Sequence, residues 1–101
     1  MTHPTMNEPD LAALPLQEWA PAMQRRLQQR LQTTQLEVLD ESYQHAGHAG
    51  ANGHGFGTHF RVKLASPLFT NMPRVARHRL VYDALQDFFD QGAHALAIEL
   101  L

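Results

Sequence analysis

Seven histidines and no cysteine set the chemistry open to this chain. Without a thiol there is no disulfide, no thiolate nucleophile and no cysteine-based metal motif. Imidazole is then the leading metal donor, and it ligates in its neutral form. His45 and His48 lie three apart, His54 follows in the same Gly-rich stretch, and His94 stands far along the sequence. Glycine lets a loop swing an imidazole onto a metal without strain, while His94 supplies a fixed one. The same stretch reads equally well as a plain polar connector. A closed structural zinc site would need four ligands drawn from His and carboxylates alone.

Two other groupings carry chemical possibilities. Arg74-Val75-Ala76-Arg77-His78-Arg79 concentrates positive charge at the start of a helix, where it could touch phosphate or an acidic partner. Its plainer reading is a solvated helix face, with Arg77 or Arg79 pairing to Asp83 one turn on. The whole chain carries a net charge of −2, which argues against a protein that coats nucleic acid. Ser42 with His45 and Asp40 can be drawn as a nucleophilic triad, but no strained elbow or oxyanion-forming element accompanies it. Asp40-Glu41-Ser42 reads better as a strand end whose side chains bond the turn backbone. The chain is read as a non-enzyme.

These residues need elements to hold them. At 101 residues, 44% hydrophobic and 18% charged, the chain makes one globular domain with a single core. No apolar run is long enough to span a bilayer and no secretory signal is legible over 1–14, so a cytoplasmic protein without membrane attachment is expected. Positions 1–14 read as a flexible leader and 15–101 as the domain. Leu16, Trp19, Met23, Leu27 and Leu31 fall three or four apart and predict a helix from near Ala20 to near Thr33, with Pro21 in its first turn. Leu36–Asp40 reads as a strand and His45–Gly57 as a loop long enough to suggest a role. Thr58–Ser66 alternates, Thr58, Phe60, Val62 and Leu64 on one face and His59, Arg61 and Lys63 on the other. It should pair with Leu36–Asp40 as a hairpin. Pro73–Gln91 predicts a second helix, with Asn71 as a cap and Gly92 just past the end. His94–Leu101 completes an α-β-β-α-β order, an α+β domain with a three-stranded sheet and helices packed on one face.

Taken in order, Asp40-Glu41-Ser42-Tyr43-Gln44-His45, His48 with Gly50, Thr58-His59-Phe60-Arg61-Val62, Ser66-Pro67-Leu68-Phe69, Arg77-His78-Arg79-Leu80-Val81-Tyr82 and His94-Ala95-Leu96 resemble the BolA family. The resemblance runs from about Leu16 to Leu101. It implies a class II KH-like α-β-β-α-β fold with an extra helical turn around Pro67–Phe69. It also implies association with a monothiol glutaredoxin bearing a CGFS motif, the pair holding a bridging [2Fe–2S] cluster that neither this chain alone nor its imidazoles could complete. Sulfur would come from the glutaredoxin and glutathione, and imidazole from this chain. By position, the resemblance makes His94 one ligand and His45 the second, with His48 close enough to substitute and His54 a third choice. His-ligated iron is expected to hold a raised potential and a pH-sensitive bond. His59, His78, Arg74, Arg77 and Arg79 are expected to frame the site or contact a partner or nucleic acid. The alternative function is a DNA-binding transcriptional regulator using the KH-like surface. Asn71 stands where the family usually has Gly, a substitution that left-handed backbone tolerates. The free protein is expected to be a monomer or weak homodimer, since a short sheet leaves an exposed edge.

Overall fold

The structure is a computed structural model describing residues 11–45 and 55–101, apart from the side chains of Gln44 and His45. A 3-10 turn at Leu16–Glu18 runs directly into helix α1, Trp19–Leu31. Pro21 falls in the first turn, where its missing N–H costs nothing. One face of α1 buries Trp19, Met23, Leu27 and Leu31, as the spacing predicts. The helix stops two residues earlier than expected. Gln32 takes a left-handed conformation (φ 51, ψ 48) and its N–H bonds back to Gln28, a C-terminal cap of the kind usually given to Gly or Asn. The hydroxyl of Ser66 donates to the freed carbonyl of Leu31, which ties the helix end to the sheet.

Strands β1 (Gln35–Asp40), β2 (His59–Ala65) and β3 (Ala95–Leu100) form one sheet in the order β1-β2-β3. β1 and β2 pair antiparallel, Val38 opposite Val62, so the expected hairpin is present. β2 and β3 pair parallel, Val62 opposite Ile98. Parallel pairing requires a crossover, and the helices between the two strands provide it. Phe60, Val62 and Leu64 point from β2 into a core completed by Met23, Leu27, Val81, Leu85 and Phe88. Trp19 meets Phe88 edge-on, ring centroids 5.5 Å apart. The other sheet face is polar: Lys63 pairs with Glu37, and Arg61 with Glu41 and Glu99. This is an α+β domain with its helices on one face of a three-stranded sheet.

The second predicted helix is two helices, α2 (Arg74–Ala84) and α3 (Gln86–Asp90), broken at Leu85 (φ −112, ψ 13). The Phe88 N–H bonds to Leu85 instead of Ala84, so the Ala84 carbonyl is released. Arg26 Nη1 takes it up at 2.9 Å. Asn71 is not the cap of α2: Pro73 occupies that position and no side chain caps it. Asn71 instead adopts φ 64, the left-handed turn that its side chain permits. A 3-10 turn at Pro67–Phe69 is present, capped by the Ser66 hydroxyl. At the other end, Leu11 lies in a 3-10 turn and packs into the core. Residues 11–14, placed in the leader by sequence, therefore join the fold; Leu11 and Leu14, confined between Pro9 and Pro15, make too short a run to show a period. Among the described residues no helix is long and apolar enough to cross a membrane.

Candidate metal centre

The end of the sheet where β1 stops and β2 and β3 begin collects the candidate residues. Asp40 closes β1 and its carboxylate turns back on the chain. Oδ1 accepts the Ser42 N–H at 2.9 Å and the Ser42 hydroxyl, while Oδ2 accepts the Gly57 N–H at 3.0 Å. Ser42, 2% exposed, opens the 3-10 turn Ser42–His45. Its Oγ accepts the backbone N–H groups of Thr58 (2.9 Å) and His59 (3.0 Å). A hydroxyl committed to this buried bonding has no geometry for nucleophilic attack, and the turn-bonding reading of Asp40-Glu41-Ser42 is the one realised.

Thr58 passes this order to β3. Its carbonyl accepts the N–H of His94 at 2.8 Å and of Ala95 at 3.0 Å. His94 thereby has a fixed backbone at the head of β3 and an exposed side chain. His59 lies opposite Ala95 in the parallel register, so its ring comes beside that of His94, centroids 5.4 Å apart and planes inclined at 52°. His59 is 8% exposed, and its Nδ1 sits 2.9 Å from the Thr58 hydroxyl. Strand alternation places His59 with Arg61 and Lys63 on the polar face, yet it is buried there, against the His94 ring and the Thr58 hydroxyl. A shallow cavity of about 230 Å³ beside the pair is lined by Glu41, His59, Arg61, Ala95 and Ala97 among others. The two alanines leave room that larger side chains would fill. Across it, Arg61 donates to Glu41 and Glu99 at 3.0 Å each. These bonds, the one to Glu41 foremost, push the guanidinium's pKa further up, so the face is a neutralised charge ladder.

The structure therefore brings His94 and His59 together. The backbone of His45 ends the Ser42–His45 turn on the same stem, but its side chain lies outside the described residues, as do His48 and His54 entirely. Among the described residues no three of His, Asp and Glu converge as a metal site. An exposed imidazole on a rigid strand head, in a chain lacking any thiol, suits a centre whose remaining ligands come from another molecule. Such a donor would fit an iron–sulfur cluster whose other ligands come from a partner.

The arginine-rich segment is dispersed by the helix. Arg74 and Arg79 are exposed but five residues apart, about 140° around the axis. Arg77 is half-buried and its Nε donates to the Met72 carbonyl at 2.8 Å, so it serves the β2–α2 connection and does not pair with Asp83 through that atom. The Nε2 of His78 is buried without a partner among the described residues. The four do not form one phosphate-facing cluster.

Sequence reasoning passed over Arg26. It is 6% exposed, bonded through two nitrogens to the Asp87 carboxylate and set over the Phe88 ring at 5.2 Å. Its position beside Met23 and Leu27 on the buried stripe was the available signal.

Comparison with known proteins agrees with the fold. The family model for the BolA-like protein matches residues 27–101. "Protein BOLA1, chloroplastic" of Arabidopsis thaliana is 49% identical over 80 residues, covering 78% of this chain and 50% of that protein. The chain thus spans half the length of that relative. "DNA-binding transcriptional regulator BolA" of Escherichia coli is 37% identical over 76 residues, covering 75% of this chain and 68% of that one. Among solved structures, the BolA domain of SufE1 from Arabidopsis thaliana superposes with a TM-score of 0.72 at 40% identity, covering 87% of this chain and 93% of that one. The matched residues 27–101 include His59, His94, all three strands and helices α2 and α3, and on that ground the chain belongs to the BolA family.

Proposed function

We propose that this protein is a non-enzymatic adaptor that binds a CGFS monothiol glutaredoxin and contributes imidazole to a bridging [2Fe–2S] cluster, in iron–sulfur cluster trafficking or iron and redox sensing. The observation that carries the reading is His94: an exposed imidazole on a backbone fixed by the Thr58 carbonyl. The second imidazole would come from the Gly-rich loop, His45 or His48. When bound, the cluster would supply one-electron chemistry and transferable iron and sulfide. The chain itself binds the partner, orients the ligand ring and, with His59 packed alongside, limits the ring's freedom.

The test is reconstitution. Mixing the protein with a CGFS glutaredoxin, iron, sulfide and glutathione should give a visible spectrum distinct from that of the glutaredoxin alone. His94→Ala should restore the glutaredoxin-only spectrum. A mutant spectrum identical to the wild-type mixture would remove His94 from the ligand set.

A second reading, DNA binding, is favoured by the name of the Escherichia coli relative. Arg74 and Arg79 would contact phosphates. It requires a salt-sensitive mobility shift that weakens when both are neutralised; no shift at low salt eliminates it.

A further inference from the structure

We infer that Ser42 is the positioning residue that sets His94 and the loop stem in register with each other. The inference rests on the adaptor reading above and concerns what aligns its ligands.

The hydroxyl of Ser42 joins the two candidate ligand segments. It accepts from the N–H of Thr58 and of His59, at 2.9 and 3.0 Å. Its single proton goes to Asp40 Oδ1 at 2.5 Å. The 3.5 Å approach to the His59 carbonyl is left without a proton. On one side, Ser42 begins the turn that ends at His45. On the other, it accepts from the N–H of His59, and the carbonyl of that same peptide unit, that of Thr58, accepts from the amide of His94 at 2.8 Å. One peptide unit therefore links Ser42 to the backbone of His94. Asp40 extends the grip to Gly57 at 3.0 Å, so three consecutive amides on the far stem are held from the near one.

This bonding stands in for the β-ladder where the ladder ends. Regular pairing stops at Asp40 opposite Phe60, with one further bond from Glu41 N–H to the His59 carbonyl at 2.8 Å. Beyond it, the β2 amides would face a departing chain. A side-chain oxygen replaces the missing carbonyl, and it does so at 2% exposure, where water cannot substitute. Supporting groups of this kind commonly change metal affinity by about 10–100-fold when removed, without touching the metal.

The experiment compares Ser42→Ala and Ser42→Thr with the wild type. In the free protein, amide exchange at His94 and Ala95 should accelerate about tenfold or more in Ser42→Ala, the equivalent of one lost hydrogen bond. Exchange at Thr34, bonded to the Ala65 carbonyl at the opposite end of the sheet, should change little. Equal acceleration at both ends would mean general destabilisation and overturn the inference. In the glutaredoxin mixture, the His94-dependent spectrum of Ser42→Ala should bleach about tenfold faster under a chelator, and Ser42→Thr, which keeps the hydroxyl, should recover most of the difference. Unchanged bleaching overturns the inference. If the wild type gives no His94-dependent spectrum, the adaptor reading fails, and the exchange measurement still decides the role of Ser42. Should Ser42→Ala not fold, Asp40→Asn replaces it: local acceleration at His94 supports the inference and its absence overturns it.

Discussion

Arg26 grips Asp87 with both terminal nitrogens, Nη1 to Oδ1 at 2.6 Å and Nη2 to Oδ2 at 2.8 Å, across the seam between α1 and α3. The arginine is buried and the carboxylate is 47% exposed, so the two partners do not fail alike. Losing Asp87 takes the charge partner from a desolvated guanidinium, which keeps its bond to the Ala84 carbonyl, whereas losing Arg26 leaves a carboxylate that water can reach. Asp87→Ala should therefore lower stability by about 2–3 kcal/mol, and Arg26→Met by roughly half as much. Urea unfolding of both variants decides the order. A less costly Asp87→Ala would show that the buried arginine does not need its partner.

The same pair sets a pH dependence. The hydrogen bonds from Arg26 hold the Asp87 carboxyl below the usual carboxylate range, against the opposing push of partial burial. A folded pKa below the unfolded one means that the folded state binds fewer protons. The contribution is complete above the unfolded value of about 4 and fades as pH falls through the folded value. The stability advantage of wild type over Arg26→Met should hold steady near neutrality and shrink on acidification below about pH 4. An advantage that grows with acid would reverse the assignment.

Gly55 and Gly57 test the loop stem. Both have positive φ, 78 and 82, but a Cβ on Gly57 would lie 2.7 Å from Leu16 Cδ2, while one on Gly55 meets nothing within 4 Å. Gly55→Ala should cost about 1 kcal/mol from backbone strain alone, and Gly57→Ala about 2 kcal/mol or more. Thermal unfolding should rank them in that order; equal losses would mean that Leu16 yields freely.

Asn71 occupies a left-handed position at φ 64. Asn71→Gly should leave stability unchanged or raised, and Asn71→Val should lower it by about 1–2 kcal/mol. Denaturation midpoints check both. A tolerated valine would show that the turn relaxes.

Where periodicity was set by the core, the fold was legible. Trp19, Met23, Leu27 and Leu31 marked α1, and Phe60, Val62 and Leu64 marked the buried face of β2. The break at Leu85 was not legible, because the apolar residues from Val75 to Phe89 keep helical spacing straight through it. What breaks there is a hydrogen bond, and the replacement donor, Arg26, is remote in sequence. The same limit applies to the site. His94 could be singled out as a ligand type, and it is exposed as that role requires. Its neighbour His59 could not be, since alternation says which face a residue occupies but not which residue of a parallel strand lies beside it. Thr58 was read only as the start of a strand. Its part in carrying order from Ser42 to His94 exists only once three segments have met.

The parallel pairing of β2 with β3 also orders events during synthesis. The β1–β2 hairpin needs only neighbouring sequence and can close early. β3 joins β2 after both intervening helices have been made and packed, because contacts between distant segments form late. A nascent chain with only the hairpin therefore carries His59 with no ring at position 94 beside it. The His59–His94 ring contact forms only once β3 has docked on β2, and it marks a completed sheet.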